Sequence, residues 1–156
     1  MFIAHTRMTT CFFPTLGKTE RKRSNGWKNG LDKDSMKADV LKFDPAAEVD
    51  TPERCFITEL VNDESSPELS IARARVEPGV TTAWHKLIGT TERYLIVSGT
   101  GRMEVEGITA QDISESDVVL IPPGTPQRIT NTGSEDLVFF AVCTPRFTPE
   151  CYLGLE

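Results

Sequence analysis

The sequence predicts an all-β fold, a jelly-roll barrel of antiparallel strands, on three observations. From Arg54 onward, short runs rich in β-branched and aromatic residues are separated by Gly, Pro, Asn and Asp at close intervals, which is how strands punctuated by turns read. No helical period of about ten or more residues interrupts them. The segments between successive runs are too short for the crossovers a parallel sheet requires, so neighbouring strands pair antiparallel.

In chain order the expected strands are Cys55–Val61, Leu69–Val76, Thr82–His85, Arg93–Val97, Arg102–Glu106, Val118–Ile121, Gln127–Asn131 and Leu137–Cys143. Eight strands of this kind close most economically as two packed sheets. Ser98-Gly99-Thr100-Gly101 supplies glycines for a hairpin between Arg93–Val97 and Arg102–Glu106, and Asn131-Thr132-Gly133-Ser134 does the same before Leu137. A period of two puts Glu92, Tyr94 and Ile96 on one face and Arg93, Leu95 and Val97 on the other. If the first set points into the barrel, Leu95 and Val97 still need cover, which a sheet-to-sheet homodimer, a second layer or the chain's own arm would supply. Pro122-Pro123-Gly124-Thr125-Pro126 is a rigid corner. Pro145 and Pro149 mark the exit from the barrel, after which Arg146 to Glu156 is expected to run as a tail across the outside, anchored by Phe147, Tyr152 and Leu153.

The chain of 156 residues is the size of one domain. Its net charge of -6 hides an asymmetry: residues 1–35 carry seven Lys/Arg against three Asp/Glu, and residues 36–156 carry ten against twenty. An acidic domain repels phosphate backbones, which argues against nucleic-acid binding. The longest apolar run, Leu137 to Cys143, is far short of the roughly 18–20 residues a membrane span needs. Cys11, Cys55, Cys143 and Cys151 show no C-x-x-C spacing, and a reducing cytoplasm is the simpler expectation.

Residues 1–35 hold no sustained apolar period and include Arg21-Lys22-Arg23 and two Asn-Gly dipeptides. They read as a disordered basic arm, a targeting segment or the product of a misplaced start, since Met36 opens a stretch that looks like a natural beginning. Residues 36–156 then form the single domain.

Two blocks carry the candidate chemistry. Gly79, His85, Leu87, Glu92 and Gly99 form the first, and Pro122-Pro123-Gly124, Gln127 and Asn131 the second. Their spacing resembles the two motifs of the cupin superfamily: glycine, His-x-His, glutamate and glycine, then proline-x-glycine, histidine and asparagine. The resemblance covers about residues 70–145 and implies the cupin double-stranded β-helix. It also implies a barrel site in which three histidines and the glutamate hold one divalent metal. Here His85 and Glu92 match the first histidine and the glutamate, Leu87 replaces the second histidine and Gln127 the third. The ligand set implied is His85, Glu92 and Gln127, one ligand short, for Mn, Fe, Ni or Zn.

That site implies a metal-dependent isomerase, epimerase or oxygenase-type enzyme acting on a sugar or carboxylate, with isomerisation favoured over O₂ chemistry because one weak amide donor holds iron poorly. A metal-free variant uses His85 as base and Tyr94 as acid, as sugar epimerases on this fold do. The alternative is a non-catalytic module whose barrel binds a small ligand. Plainer readings stay open for single residues: His85 as a buried structural histidine beside Trp84, Glu92 as a solvated carboxylate paired with Arg93 or Lys86, and Gln127 as a hydrogen-bond partner of His85 or Glu92. Tyr94 also reads as an edge-of-core tyrosine, and Arg128 should face outward.

Overall fold

A computed structural model of the chain describes residues 38–156. The expectation of a basic arm over residues 1–35 lies outside the described residues. Eleven strands build two antiparallel sheets: β1 (Val49–Asp50), β2 (Phe56–Val61), β3 (Ser70–Val76), β4 (His85–Leu87), β5 (Thr91–Ser98), β6 (Thr100–Val105), β7 (Gln111–Ser114), β8 (Val118–Ile121), β9 (Gln127–Asn131), β10 (Leu137–Thr144) and β11 (Tyr152–Gly154). One sheet runs β1-β2-β3-β10-β5-β8 and the other β11-β4-β9-β6-β7. Helical structure among the described residues is confined to two 3-10 turns, Pro45–Ala47 and Pro149–Cys151. None of these residues lies in a helix long and apolar enough to cross a membrane.

The all-β jelly roll is as the sequence predicts, but both glycine-rich joints do something else. β5 pairs with β10 and β8, while β6 pairs with β7 and β9, so Ser98–Gly101 is no hairpin. It carries the chain from one sheet to the other, as Asn131–Ser134 does between β9 and β10. Backbone crowding explains the glycine: at Gly99, φ 88°, a Cβ would stand 2.8 Å from the Asp136 carbonyl oxygen and 2.9 Å from Leu137 Cα. Three strands escaped prediction. β1 has two residues, β7 is mostly polar, and β11 belongs to the expected outer tail. The third expected strand, Thr82–His85, is displaced: β4 begins at His85 and ends at Leu87, with Thr81 making only an isolated bridge to Thr130.

Between the sheets lies one core of Ala74, Val76, Ile96, Met103, Val105, Ile121, Ile129, Leu137 and Phe139, with Cys55, Tyr94 and Ile113. Alternation along β5 holds: Glu92, Tyr94 and Ile96 are buried, and Leu95 and Val97 are exposed. Asn131 is buried within the second motif, its amide donating to the carbonyls of Val76 and Glu135, which ties the end of β9 to β3 and to the joint before β10.

Candidate functional site

The two motifs meet across the barrel interior. β4 and β9 are paired so that His85 faces Gln127, placing both on one sheet. Glu92 and Tyr94 come from β5 on the other sheet, where Glu92 sits opposite Cys143 of β10 and Ile121 of β8. All four side chains are buried, Gln127 completely.

Gln127 is the hub. Its amide nitrogen lies 2.9 Å from His85 Nε2, 3.2 Å from Glu92 Oε2 and 2.6 Å from the Tyr94 hydroxyl. Two N–H bonds thus serve three acceptors, while the amide oxygen is buried without a hydrogen-bond partner. His85 Nδ1 lies 2.8 Å from the Ala83 carbonyl oxygen. An N–H donated there fixes the neutral tautomer and leaves the Nε2 lone pair facing inward. The imidazole is stacked on Tyr152, with ring centroids 4.9 Å apart.

A second carboxylate completes the cluster. Glu53, in the turn between β1 and β2, brings Oε2 to 3.8 Å from His85 Nε2 with its side chain 16% exposed. Arg54, at φ 64°, takes the left-handed conformation beside it, and its N–H bonds the Thr51 carbonyl, closing the turn. The Ala83 N–H donates to the Glu53 carbonyl, so one residue fixes both the Glu53 backbone and the His85 ring.

Burial dominates the electrostatics. Loss of water, followed by the nearby Glu53 charge, pushes Glu92 up to about 8, against hydrogen bonds from Tyr94 and Gln127. Glu92 is therefore a neutral carboxylic acid near pH 7. Burial also raises Glu53, opposed by His85, and lifts Tyr94 well above its usual range, so the phenol keeps its proton. The thiols of Cys55 and Cys143 are pushed up to about 12 by burial and are not nucleophiles.

A cavity of about 350 Å³ opens onto this cluster, lined by Glu53, His85, Leu87, Glu92, Cys143 and Tyr152 among others. Its size suits a small ligand. Tyr94 and Gln127 are not in its lining; they stand behind His85 and Glu92 and position them. A more open depression of about 470 Å³ holds Arg54, Glu104, Arg128 and Glu156, charges already committed to Arg54–Glu156 and Arg128–Glu104 ion pairs. Arg128 faces outward, as its place beside Gln127 predicts.

The structure thus brings His85, Glu92, Tyr94 and Gln127 together, and adds two residues that sequence reasoning missed. Glu53 carries no periodic signal, being one acid in an irregular turn. Tyr152 was expected on the outside; instead β11 pairs with β4, Tyr152 against Leu87 and Gly154 against His85, which lays the ring on the imidazole.

A divalent ion needs several lone pairs converging on one point. Among the described residues no three His, Cys, Asp or Glu side chains form such a group. Leu87, buried at the place of the second histidine, offers none. Gln127 turns a donor, not its oxygen, toward the His85 lone pair and Glu92. As arranged, His85 and Glu92 are each bonded to the Gln127 amide nitrogen and the three do not fit an ion; an amide hydrogen bond stands where ligation would have to occur.

Comparison with known proteins agrees with the architecture. The family of cupin domains matches residues 72–143. An uncharacterised protein of Methanocaldococcus jannaschii is 29% identical over 118 residues, which are 74% of this chain and 94% of that protein. A Thermotoga maritima structure described as a predicted oxalate decarboxylase is 30% identical, covering 58% of this chain and 80% of that one, with a TM-score of 0.54. The Streptomyces nucleoside dehydratase Pac13 shares the fold at 16% identity and a TM-score of 0.61, covering 76% of this chain and 92% of its own. Barrel, motif spacing and family match agree, and the chain belongs to the cupin superfamily.

Proposed function

We propose that the barrel is a small-molecule active site working by proton transfer, with His85 as base and Glu92 as acid. The observation that carries this reading is the bonded chain His85–Gln127–Glu92 at the wall of one cavity, its imidazole held in a single tautomer and its carboxyl group protonated near neutrality. A base and an acid in opposite states beside one cavity are the requirement for moving a proton without external reagents.

For an isomerisation of a hydroxy carbonyl compound, the Gln127 amide swings off His85 Nε2, which then takes the proton from the hydroxyl-bearing carbon while the Glu92 carboxyl delivers its own to the carbonyl oxygen, giving an enediol. The imidazolium proton then goes to the former carbonyl carbon while Glu92 takes the proton of the neighbouring hydroxyl, which moves the carbonyl by one carbon and returns both side chains to their starting states. The imidazolium formed midway faces the Glu53 carboxyl group, and the unpartnered Gln127 oxygen can accept its N–H once the amide turns over. Tyr94 and Gln127 are positioning residues in this scheme. A dehydratase on a barrel of the same fold is compatible with such chemistry as an analogy of fold only.

The test is an exchange experiment. The protein is incubated in D₂O with pools of small carbonyl and hydroxyl compounds, and proton NMR follows loss of C–H signals. Deuterium incorporation that disappears in His85→Ala and Glu92→Gln supports the reading. Compounds that bind without exchanging in any pool would favour the non-catalytic module instead.

A further inference from the structure

Taking the cavity as the substrate site, on which this step rests, we infer that it selects a small organic cation, an amine or ammonium carrying an apolar flank, and turns anions away. The site itself stands on the cavity; its lining decides what enters. Four carboxyl groups contribute to that lining, Asp50 and Glu59 at the exposed rim and Glu53 and Glu92 within, and among the described residues no lysine or arginine does. Four arginines outside the lining have partners of their own, Arg146 on the lining residue Asn62. Arg146 donates to Asn62 Oδ1 at 3.2 Å, Arg93 to Thr144 Oγ1 at 2.8 Å, and Arg73 and Arg75 to Glu48.

An anion entering this space meets like charge and finds, among the described residues of the lining, no guanidinium or ammonium to offset its lost water. A cation meets the opposite: steering by the rim acids, the Glu53 carboxyl group as an acceptor within, and the aromatic side chains of Tyr152 and Phe147 in the lining, a residue type that favours positive charge over a neutral group. The rest of the wall is largely aliphatic, including Val49, Ile57, Ile71 and Leu87, and suits an apolar flank rather than a fully hydroxylated sugar. Among the described residues of the lining, the carboxylate half of the substrate expectation drawn from the family resemblance meets no lysine or arginine.

Three probes of one skeleton separate charge from shape: 2-phenylethylamine, 2-phenylethanol and phenylacetate, titrated by calorimetry at pH 7.5 into the wild-type chain, Glu53→Gln and Ala141→Phe, the last of which fills the cavity. Thermal melts confirm that each variant is folded. The expected result is the amine bound about tenfold or more tighter than the alcohol, with phenylacetate weakest. Glu53→Gln should remove most of that preference while leaving the alcohol unchanged, and Ala141→Phe should lose all three. Equal or tighter binding of phenylacetate, or an amine affinity indifferent to Glu53, overturns the charge selectivity alone so long as Ala141→Phe still abolishes binding. Absence of binding by all three probes, or binding that survives Ala141→Phe, overturns the cavity as substrate site as well.

Discussion

Glu48 and Glu92 lie on opposite sides of one sheet and titrate in opposite directions. Outside, Glu48 accepts from Arg75 Nε at 3.1 Å and Nη2 at 2.7 Å and from Arg73 Nη1 at 3.2 Å, and Asp136 takes a further Arg75 bond at 3.2 Å. The Arg75 hydrogen bonds hold its carboxyl group below the usual range. Inside, Glu92 has no guanidinium, has a second carboxylate for a neighbour and receives only neutral donors, so burial pushes it up to about 8. The outer cluster is balanced and holds β3 to the segment before β1. The inner one is left unbalanced, which suits a group that must exchange a proton.

The strongest test of this contrast is activity. Glu92→Gln and His85→Ala should lower proton exchange by about 10²–10⁴-fold, as loss of an acid or base does, while Glu48→Gln leaves it unchanged. A comparable loss in Glu48→Gln would erase the distinction between the two clusters.

Stability against pH comes next. A carboxyl group whose folded pKa is raised contributes stability below its unfolded pKa and loses it as pH rises, so the Glu92 contribution should fade between about pH 4.5 and 8. Glu48, lowered, contributes above its unfolded value and fails as pH falls. Melting temperatures from pH 4 to 9 should therefore drop on both sides, with Glu92→Gln flattening the alkaline limb and Glu48→Gln the acid one. An alkaline limb unchanged by Glu92→Gln would mean that Glu92 is ionised in the folded protein near neutrality.

A smaller effect is expected from Arg75→Ala. Its side chain is 20% exposed, so losing the Glu48 and Asp136 bonds should cost about 1–2 kcal/mol in urea unfolding, without altering probe binding. Smallest in the monomer is Leu120→Lys, within about 0.5 kcal/mol. Leu120 is 60% exposed beside Leu95, Val97 and Val118 on the outer face of β5 and the edge strand β8. We propose that a second copy packs on this face, one of the three kinds of cover that the alternation along β5 leaves open. Light scattering should find a dimer that Leu120→Lys dissociates; a wild-type monomer refutes it.

Much of this was legible beforehand because local rules act strongly where they act. Period-two alternation put Glu92 and Tyr94 inside, and motif spacing brought His85 and Gln127 to facing positions. What escaped depends on long-range pairing. Gly99 and Gly101 look the same whether they turn a hairpin or carry the chain between sheets, and only the crowding against Asp136 and Leu137 separates the cases. Tyr152 enters the site because β11 pairs with β4, some 65 residues upstream in sequence. Glu53 enters through an irregular turn that no periodicity marks. The role of Gln127, ligand or hydrogen-bond partner, was open from sequence; its amide nitrogen against His85 Nε2 favours the partner.

That hub is the centre of the account, and metal analysis reaches it most directly. Chelator-washed protein, reloaded with Mn, Fe, Ni or Zn and desalted, is examined by elemental mass spectrometry beside the Leu87→His, Gln127→His double variant, which restores both missing histidines. With Gln127 bonding His85 to Glu92, the wild type should retain no stoichiometric ion and the double variant should gain one. A near-stoichiometric ion in the wild type, lost in His85→Ala and Glu92→Ala, would contradict the account and return the site to metal chemistry.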